Sequence, residues 1–285
     1  TCAVLDDGSV WCWGRNDRGQ LGTSDATTYY RDKPYKAVAL GNGGSSACST
    51  CGAEVTAVQL VAGGSFTCAL LSSGEVKCWG SNDDGQLGQG DVMDRGAGAA
   101  SMGNNLAPVA VAVFPEKVTR IFAGPDYACA IRTCVAKAVG CTEVVCWGGN
   151  SQCKAANTDQ TKIGDGPSEM GASLQPLELL SLSTETVKDL ALSAWSSCAI
   201  VSSAALGVDV LRCWGSTPAM DNTYQCYDAR RYPDYPLNLP PGVYPTQLTQ
   251  GEKHICARLS DGSVRCLCDG RGHDWRYADG TAKGY

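Results

Sequence analysis

At 285 residues, 44% of them hydrophobic, the chain can bury a sizeable core, so its 17 cysteines are not needed merely to hold a small scaffold together. Two histidines, His254 and His273, are too few for ordinary Cys/His zinc sites, and a formal charge of −6 opposes nucleic-acid phosphates and anionic membrane surfaces as partners. No apolar run reaches membrane-spanning length, and the cysteines point to disulfides in an oxidising place, extracellular or at the cell surface.

The chain opens inside a motif, TCAVLDDGSVWCWG, and is read as a part of something longer. A three-residue turn at Asp6-Asp7-Gly8, with Gly8 in the left-handed position such turns want, sets Cys2 opposite Cys12. Counted outward from the closing pair, the two cysteines fall on a non-hydrogen-bonded rung, where Cα atoms lie roughly 4.5 Å apart, a span that a disulfide tolerates. An Asn-Asp-x-Gly turn follows within RNDRGQLG, then a loop from Thr23 to Lys36 carrying Tyr29, Tyr30 and Tyr35, and a β-prone piece, KAVAL, from Lys36. Cys48 and Cys51, in a Gly/Ser-rich stretch, close a small loop on each other; a redox dithiol would want a βαβ context, which the sequence lacks.

A strand pattern, EVTAVQLVAGGSF, leads into the second hairpin, where Cys68 faces Cys78 around Ser72-Ser73-Gly74. The stretch from Asp91 to Leu106 is Gly/Ala/Met-rich and reads as a variable insertion, followed by APVAVAV as a strand. KVTRIFAGPDY then precedes Cys129, which pairs with Cys146 about a midpoint shared by Cys134 and Cys141, a second bridge on an outgrowth of the ribbon. LQPLELL and TVKDLALSAWS lead to Cys198 and Cys213, which flank a longer loop around Ala204 to Val208. Cys153 and Cys226 each follow a Trp-Gly, in consecutive repeats, and are the candidates for a bridge between those repeats. The loop from Asp221 to Tyr244 interleaves Tyr224, Tyr227, Arg230, Arg231, Tyr232 and Tyr235 with prolines, the composition of a protein-contact surface. YPTQLTQGEKH opens the last hairpin, Cys256 against Cys266 around Ser260-Asp261-Gly262. Cys268 is left over, with a partner outside the segment.

The first cysteines of successive hairpins are 66, 61, 69 and 58 residues apart, which marks a repeat architecture with approximate bounds 1–66, 67–127, 128–196, 197–254 and a partial 255–285. Each repeat offers about four short strands with Gly-rich turns and almost no helical periodicity, the recipe for a β-propeller blade. The fold class is therefore all-β, a propeller of four-stranded blades with a disulfide across each blade hairpin.

The wording CALLSSGEVKCWGSNDDGQLG, preceded by VTAVQLVAGGSF, resembles the regulator of chromosome condensation repeat family, with its aliphatic strand, Trp-Gly hairpin and N-x-x-GQLG. Trp13-Gly14 with Asn16 and residues 19–22 fits that frame, as does Trp79-Gly80 with Asn82 and residues 85–88. The third repeat keeps Trp147-Gly148, Asn150 and Ile163-Gly164-Asp165-Gly166; the fourth keeps Trp214-Gly215; the fifth has Leu267-Cys268 instead. The resemblance implies a seven-bladed ring, of which this chain supplies about four to five blades. It also implies faces used for protein docking. The family's nuclear nucleotide-exchange activity does not suit disulfide rungs, and no segment maps onto an exchange wedge.

Nothing in the sequence assembles a catalytic set, a metal site or a cofactor cradle. The acidic turns lack the spaced acids of an EF-hand, and His254 stands where each repeat places a polar or aromatic residue before its hairpin. Trp195, outside the Trp-Gly slot, reads as a buried ring, with an exposed anchor as the alternative. The functional reading is a non-enzymatic interaction or assembly module of a cell-surface, matrix or fibre protein. Its partners are other proteins, copies of itself included. The rival reading is a secreted carbohydrate-binding module or propeller enzyme with a site in its loops or central channel.

Overall fold

The computed structural model describes residues 1–25, 27–41, 55–112, 116–134, 142–155, 160–177, 179, 185–203, 207–215, 239–268 and 276–277. The chain forms two compact units: Thr1–Thr133 with Val145–Gly149 and Lys162–Gln175, and Cys134–Val144 with Asn150–Thr161 and Pro176–Tyr285. Both are built of antiparallel strands. Among the described residues no helix is long and apolar enough to cross a membrane.

In the first unit, β1 (Cys2–Val4) and β2 (Val10–Cys12) form the first hairpin, and β3 (Gly14–Arg15) pairs with β4 (Tyr30–Arg31). The second sheet orders β5 (Ala57–Ala62), β6 (Phe66–Leu71) and β7 (Val76–Gly80). The third runs through β8 (Val118–Ala123), β9 (Tyr127–Thr133), β10 (Thr142–Gly149, of which Val145–Gly149 belong to this unit) and β11 (Lys162–Ile163).

The hairpin register is the one the turn residues dictate. Gly74 takes φ +86°, its N–H donates to Leu71 O, and Leu71 N–H donates to Glu75 O, closing a three-residue turn. Cys68 therefore stands directly across from Cys78, as Cys2 does from Cys12, and both pairs are bridged with Cα atoms 4.1 Å apart. Cys129 and Cys146 are bridged at 4.0 Å.

KAVAL and APVAVAV do not form full outer strands. Each touches the hairpin through one main-chain bond near its middle, Val38 N–H to Val10 O and Val109 N–H to Val76 O. A separate short contact lies further along, where Gly14 faces Arg31, Gly80 faces Arg95 and Gly148 faces Ile163. The outer strand is thus split by a loop. In the second and third sheets that loop carries a repeated Met-Gly-x-x-Leu: Met102-Gly103-Asn104-Asn105-Leu106 and Met170-Gly171-Ala172-Ser173-Leu174. Gly103 and Gly171 adopt φ of +65° and +69° and donate to Ala39 O and Ala110 O. Met102, Leu106 and Leu174 are buried, so the supposed variable insertion is a packing plug. Met102 and Leu106 join Val10, Leu21, Leu71 and Trp79 in one core cluster.

The second unit holds β12 (Thr186–Leu192), β13 (Ser196–Ser203) and β14 (Val208–Gly215) in one sheet. Another sheet contains β15 (Pro245–Gln250), β16 (His254–Leu259), β17 (Val264–Cys268) and β18 (Arg276–Tyr277). Cys198 is bridged to Cys213 and Cys256 to Cys266, each with Cα atoms 4.0 Å apart. The extra residues of the fourth repeat extend the ribbon: Val208 lies in β14 opposite Ser203, in unbroken register with the bridge. Ile200, Leu211, Leu248, Ile255 and Leu259 form this unit's core.

The leading strand of each full sheet carries a register slip at one equivalent site, between Ala57 and Gln59, Val118 and Arg120, Val187 and Asp189, and Pro245 and Gln247. The extra residues, Val58, Thr119, Lys188 and Thr246, are all exposed.

Candidate protein-docking loops

The Asn of each N-x-x-G turn is the organising side chain of the loop that follows. Asn82 is fully buried; its Oδ1 accepts from Leu87 N–H (2.9 Å) and its amide donates to Asp91 O (2.7 Å). Asn16 repeats this with Leu21 N–H and with the carbonyls of Asp25 and Thr28. The loop glycines Gly19 and Gly85, at φ +77° and +75°, press against residues 95–97 and 164–165, leaving no room for a Cβ.

Nine residues beyond each Asn stands an aspartate that neutralises an arginine on the same loop. Asp25 accepts from Thr27 N–H, from the hydroxyls of Thr27 and Thr28, and from Arg31 (2.6 Å), whose guanidinium also lies 3.8 Å from the Tyr35 ring centre. These donors, the Thr27 hydroxyl foremost, hold the Asp25 carboxyl far below the ordinary carboxylate range. Asp91 takes both guanidinium nitrogens of Arg95 at 2.9 and 2.8 Å, and that contact is the main reason its carboxyl is held low. Arg18 spans two repeats, pairing with Asp83 and with Asp94 (3.0 Å); Lys162 pairs with Asp84 at 3.4 Å. The Asp165 carboxyl is pushed up by burial and by its neighbour Glu169.

Beside these paired charges the loops leave large apolar side chains to solvent: Tyr29 at 73%, Tyr30 at 65%, Met93 at 64%, with Val92 and Tyr35 on the same loops. Among the described residues no group of His, Cys, Asp and Glu is arranged to hold a metal ion.

Adjacent repeats are locked by the Trp-Gly tryptophans. Trp79 Nε1 donates to Gln20 O (3.1 Å) and Trp147 Nε1 to Gln86 O (3.0 Å), so the Trp of one repeat bonds the GQLG of the one before. Within the second unit Trp214 Nε1 donates to Lys154 O at 2.8 Å. All three rings are fully buried. Each lock reads a main-chain carbonyl, which tolerates drift of the sequence around it.

Models of the regulator of chromosome condensation (RCC1) repeat match residues 1–20, 57–86 and 73–131. The chain is 34% identical over 106 residues to the Protein RCC2 homolog of Danio rerio, a match covering 37% of this chain and 19% of that protein. It is 26% identical over 208 residues to the human E3 ubiquitin-protein ligase HERC2, covering 70% of this chain and 3% of the ligase. The solved structure of Prp20p from Saccharomyces cerevisiae superposes with a TM-score of 0.63 at 18% identity, over 96% of this chain and 59% of that one. Over residues 1–20 and 57–131 the repeats are those of the regulator of chromosome condensation family. The fold is its β-propeller, and the matches span less than a fifth of the length of these two curated relatives.

In the third RCC1 repeat the GQLG equivalent is not Ile163-Gly164-Asp165-Gly166, as the wording suggests. Asn150 Oδ1 accepts from Ala155 N–H, and Cys153 N–H donates to Asn150 O, as Gly85 does to Asn82 O. Cys153-Lys154-Ala155 is therefore the true counterpart, with Cys153 at φ +56° in the glycine's place, while Ile163-Gly164 matches Arg95-Gly96 on the outer edge. The shift escapes the eye because a Gly-rich word survives in the wrong slot.

His254 is explained by the repeat: its ring fills the space left by Gly251, as Phe66 does at Gly63 and Tyr127 at Gly124. Trp195 is half-buried, not an exposed anchor. Cys134 and Cys153 are disulfide-bonded. Their expected partners Cys141 and Cys226 lie outside the described residues, as do Cys48, Cys51, His273 and the whole candidate contact set of Tyr224, Tyr227, Arg230, Arg231, Tyr232 and Tyr235; Cys268 is described only as the last residue of β17.

A set of buried cations is absent from the sequence reading. Lys77 donates to Leu40 O (2.7 Å) and Gly103 O, Arg132 to Val111 O, and Arg212 to Leu179 O while pairing with Glu185. Leu40, Val111 and Leu179 are equivalent points on the linkers into successive repeats, so each linker is pinned by one cation. The signal was a Lys or Arg one residue before the second hairpin cysteine; the third repeat hides it by moving the cation to β9.

Proposed function

We propose that this chain is a disulfide-braced propeller segment of an extracellular or cell-surface protein, acting without catalysis as an interaction or assembly module. The observation that carries the reading is the contrast between the hairpins and the loops. Five hairpins are each crossed by a bridged cysteine pair, and such bridges persist in oxidising compartments. The loops are rigid through their own hydrogen bonds yet present tyrosine, methionine and valine to solvent, the side chains that anchor protein contacts. Prp20p, whose structure was described together with its binding properties to Gsp1p and histones, is a protein-binding case of the same fold.

The test is photo-crosslinking of the intact protein in its native compartment, with the reactive residue at Met93 or, as control, at exposed Asp261. A discrete protein adduct from Met93 alone, together with blocked thiols in all five hairpins, is the expected result. Cysteines of these hairpins that alkylate without prior reduction, or equal adducts from both positions, would reject it.

A further inference from the structure

We infer that the loops at 23–36 and 91–97 form one docking surface, and that it fits a peptide segment carrying an acidic residue beside an aromatic or aliphatic one. The inference rests on the docking function proposed above and names its surface and partner chemistry.

The two loops are joined directly: Ser24 N–H donates to Gly96 O at 3.0 Å, Arg18 pairs with Asp94, and Gly19 packs on Arg95 and Ala97. Counting back from the equivalent arginines Arg31 and Arg95, Tyr29 and Met93 occupy the same place in successive repeats, so a large apolar side chain is presented twice. Both carboxylates of the 91–97 loop are engaged, Asp91 by Arg95 and Asp94 by Arg18, which also holds Asp83, so covering Met93 leaves neither of the two without a partner.

Charge then selects the partner. The loop from Thr23 to Lys36 holds Arg31, Lys33 and Lys36 against Asp25 and Asp32, a net positive stretch in a chain of formal charge −6. Asp25 is bonded to Thr27, Thr28 and Arg31, which leaves Asp32 as the carboxylate beside the exposed cations Lys33 and Lys36, the latter also reaching Thr23 O at 3.5 Å. An acidic group on the partner meets these cations while its apolar neighbour covers Tyr29, Tyr30 or Met93.

The experiment is selection of a random-peptide phage library on the oxidised intact protein, followed by affinity measurement of the enriched peptides at two salt concentrations. Enriched peptides should carry net negative charge next to an aromatic or aliphatic residue. Tyr30→Ser, Met93→Ser and Lys33→Glu should each weaken them about tenfold, a typical anchor loss, and added salt should weaken them further. The variant Asp261→Asn, outside both loops and with the same folded spectrum, should bind unchanged. Enrichment of neutral or basic peptides, or peptides indifferent to Lys33→Glu, would overturn the inference. So would no enrichment at all, and a crosslinked partner at Met93 would in that case show that the docking function stands while the peptide chemistry does not.

Discussion

Replacing Asn82 by alanine isolates the device that shapes these loops. The side chain is completely buried and satisfies two main-chain groups, the N–H of Leu87, itself buried, and the carbonyl of Asp91, at 2.9 and 2.7 Å. Alanine leaves both without a partner, and each unmet buried group costs about 1–3 kcal/mol, so the loss should be roughly 3 kcal/mol. Urea unfolding of the oxidised protein measures the total, and hydrogen exchange at the Leu87 amide reports the local opening. Asn82→Asp separates the two bonds: it keeps an acceptor for Leu87 but sets a carboxylate beside Asp91 Oδ1, 3.1 Å from the present amide nitrogen. Its Leu87 amide should stay protected while the protein is still destabilised near neutral pH. A cost below about 0.5 kcal/mol for Asn82→Ala, with unchanged Leu87 exchange, would refute the reasoning, since changes of that size are ordinary for exposed sites.

Lys77→Met should cost about 1–3 kcal/mol in urea unfolding because Leu40 O loses its donor, whereas Lys77→Arg should cost less, since Arg212 makes the corresponding contact to Leu179 O. Asp25 titrates far below its ordinary 3.8 in the folded loop, so the unfolded chain takes up the proton first. Its contribution is complete above that value and is lost as pH falls below it; exchange at the Leu21 amide should accelerate there in the wild type and less so in Asp25→Asn. Asp165 has the opposite sign: its raised folded value makes it a destabilising group as pH rises above 3.8, so Asp165→Asn should raise Tm near neutral pH and lose that advantage in acid.

The three short hairpins were legible because a turn glycine and an equal cysteine spacing on both sides fix register without any distant partner, as Gly74 with Cys68 and Cys78 shows; the fourth instead keeps Val208 in its ladder, where a loop was expected. The Trp-Gly and GQLG words could be recognised but not connected, because the acceptor of Trp79 is a carbonyl 59 residues away. KAVAL has the alternation of a strand, yet Val38 alone of its residues is hydrogen-bonded to the hairpin by its N–H; periodicity reports burial of a face, not the number of ladder bonds. The Met-Gly-x-x-Leu plugs looked like loop filler because Gly and Ala dominate 95–101, though the same five-residue frame returns 68 residues later. The pinning cations were hidden because their partners are main-chain oxygens, which carry no side-chain signature.

Non-reducing peptide mapping of the protein taken from its native compartment tests the central claim most directly. The account predicts linked peptides joining Cys2 to Cys12, Cys68 to Cys78, Cys129 to Cys146, Cys198 to Cys213 and Cys256 to Cys266, each within one repeat. Free thiols at these ten positions, or bridges running from one repeat to another among them, would contradict it.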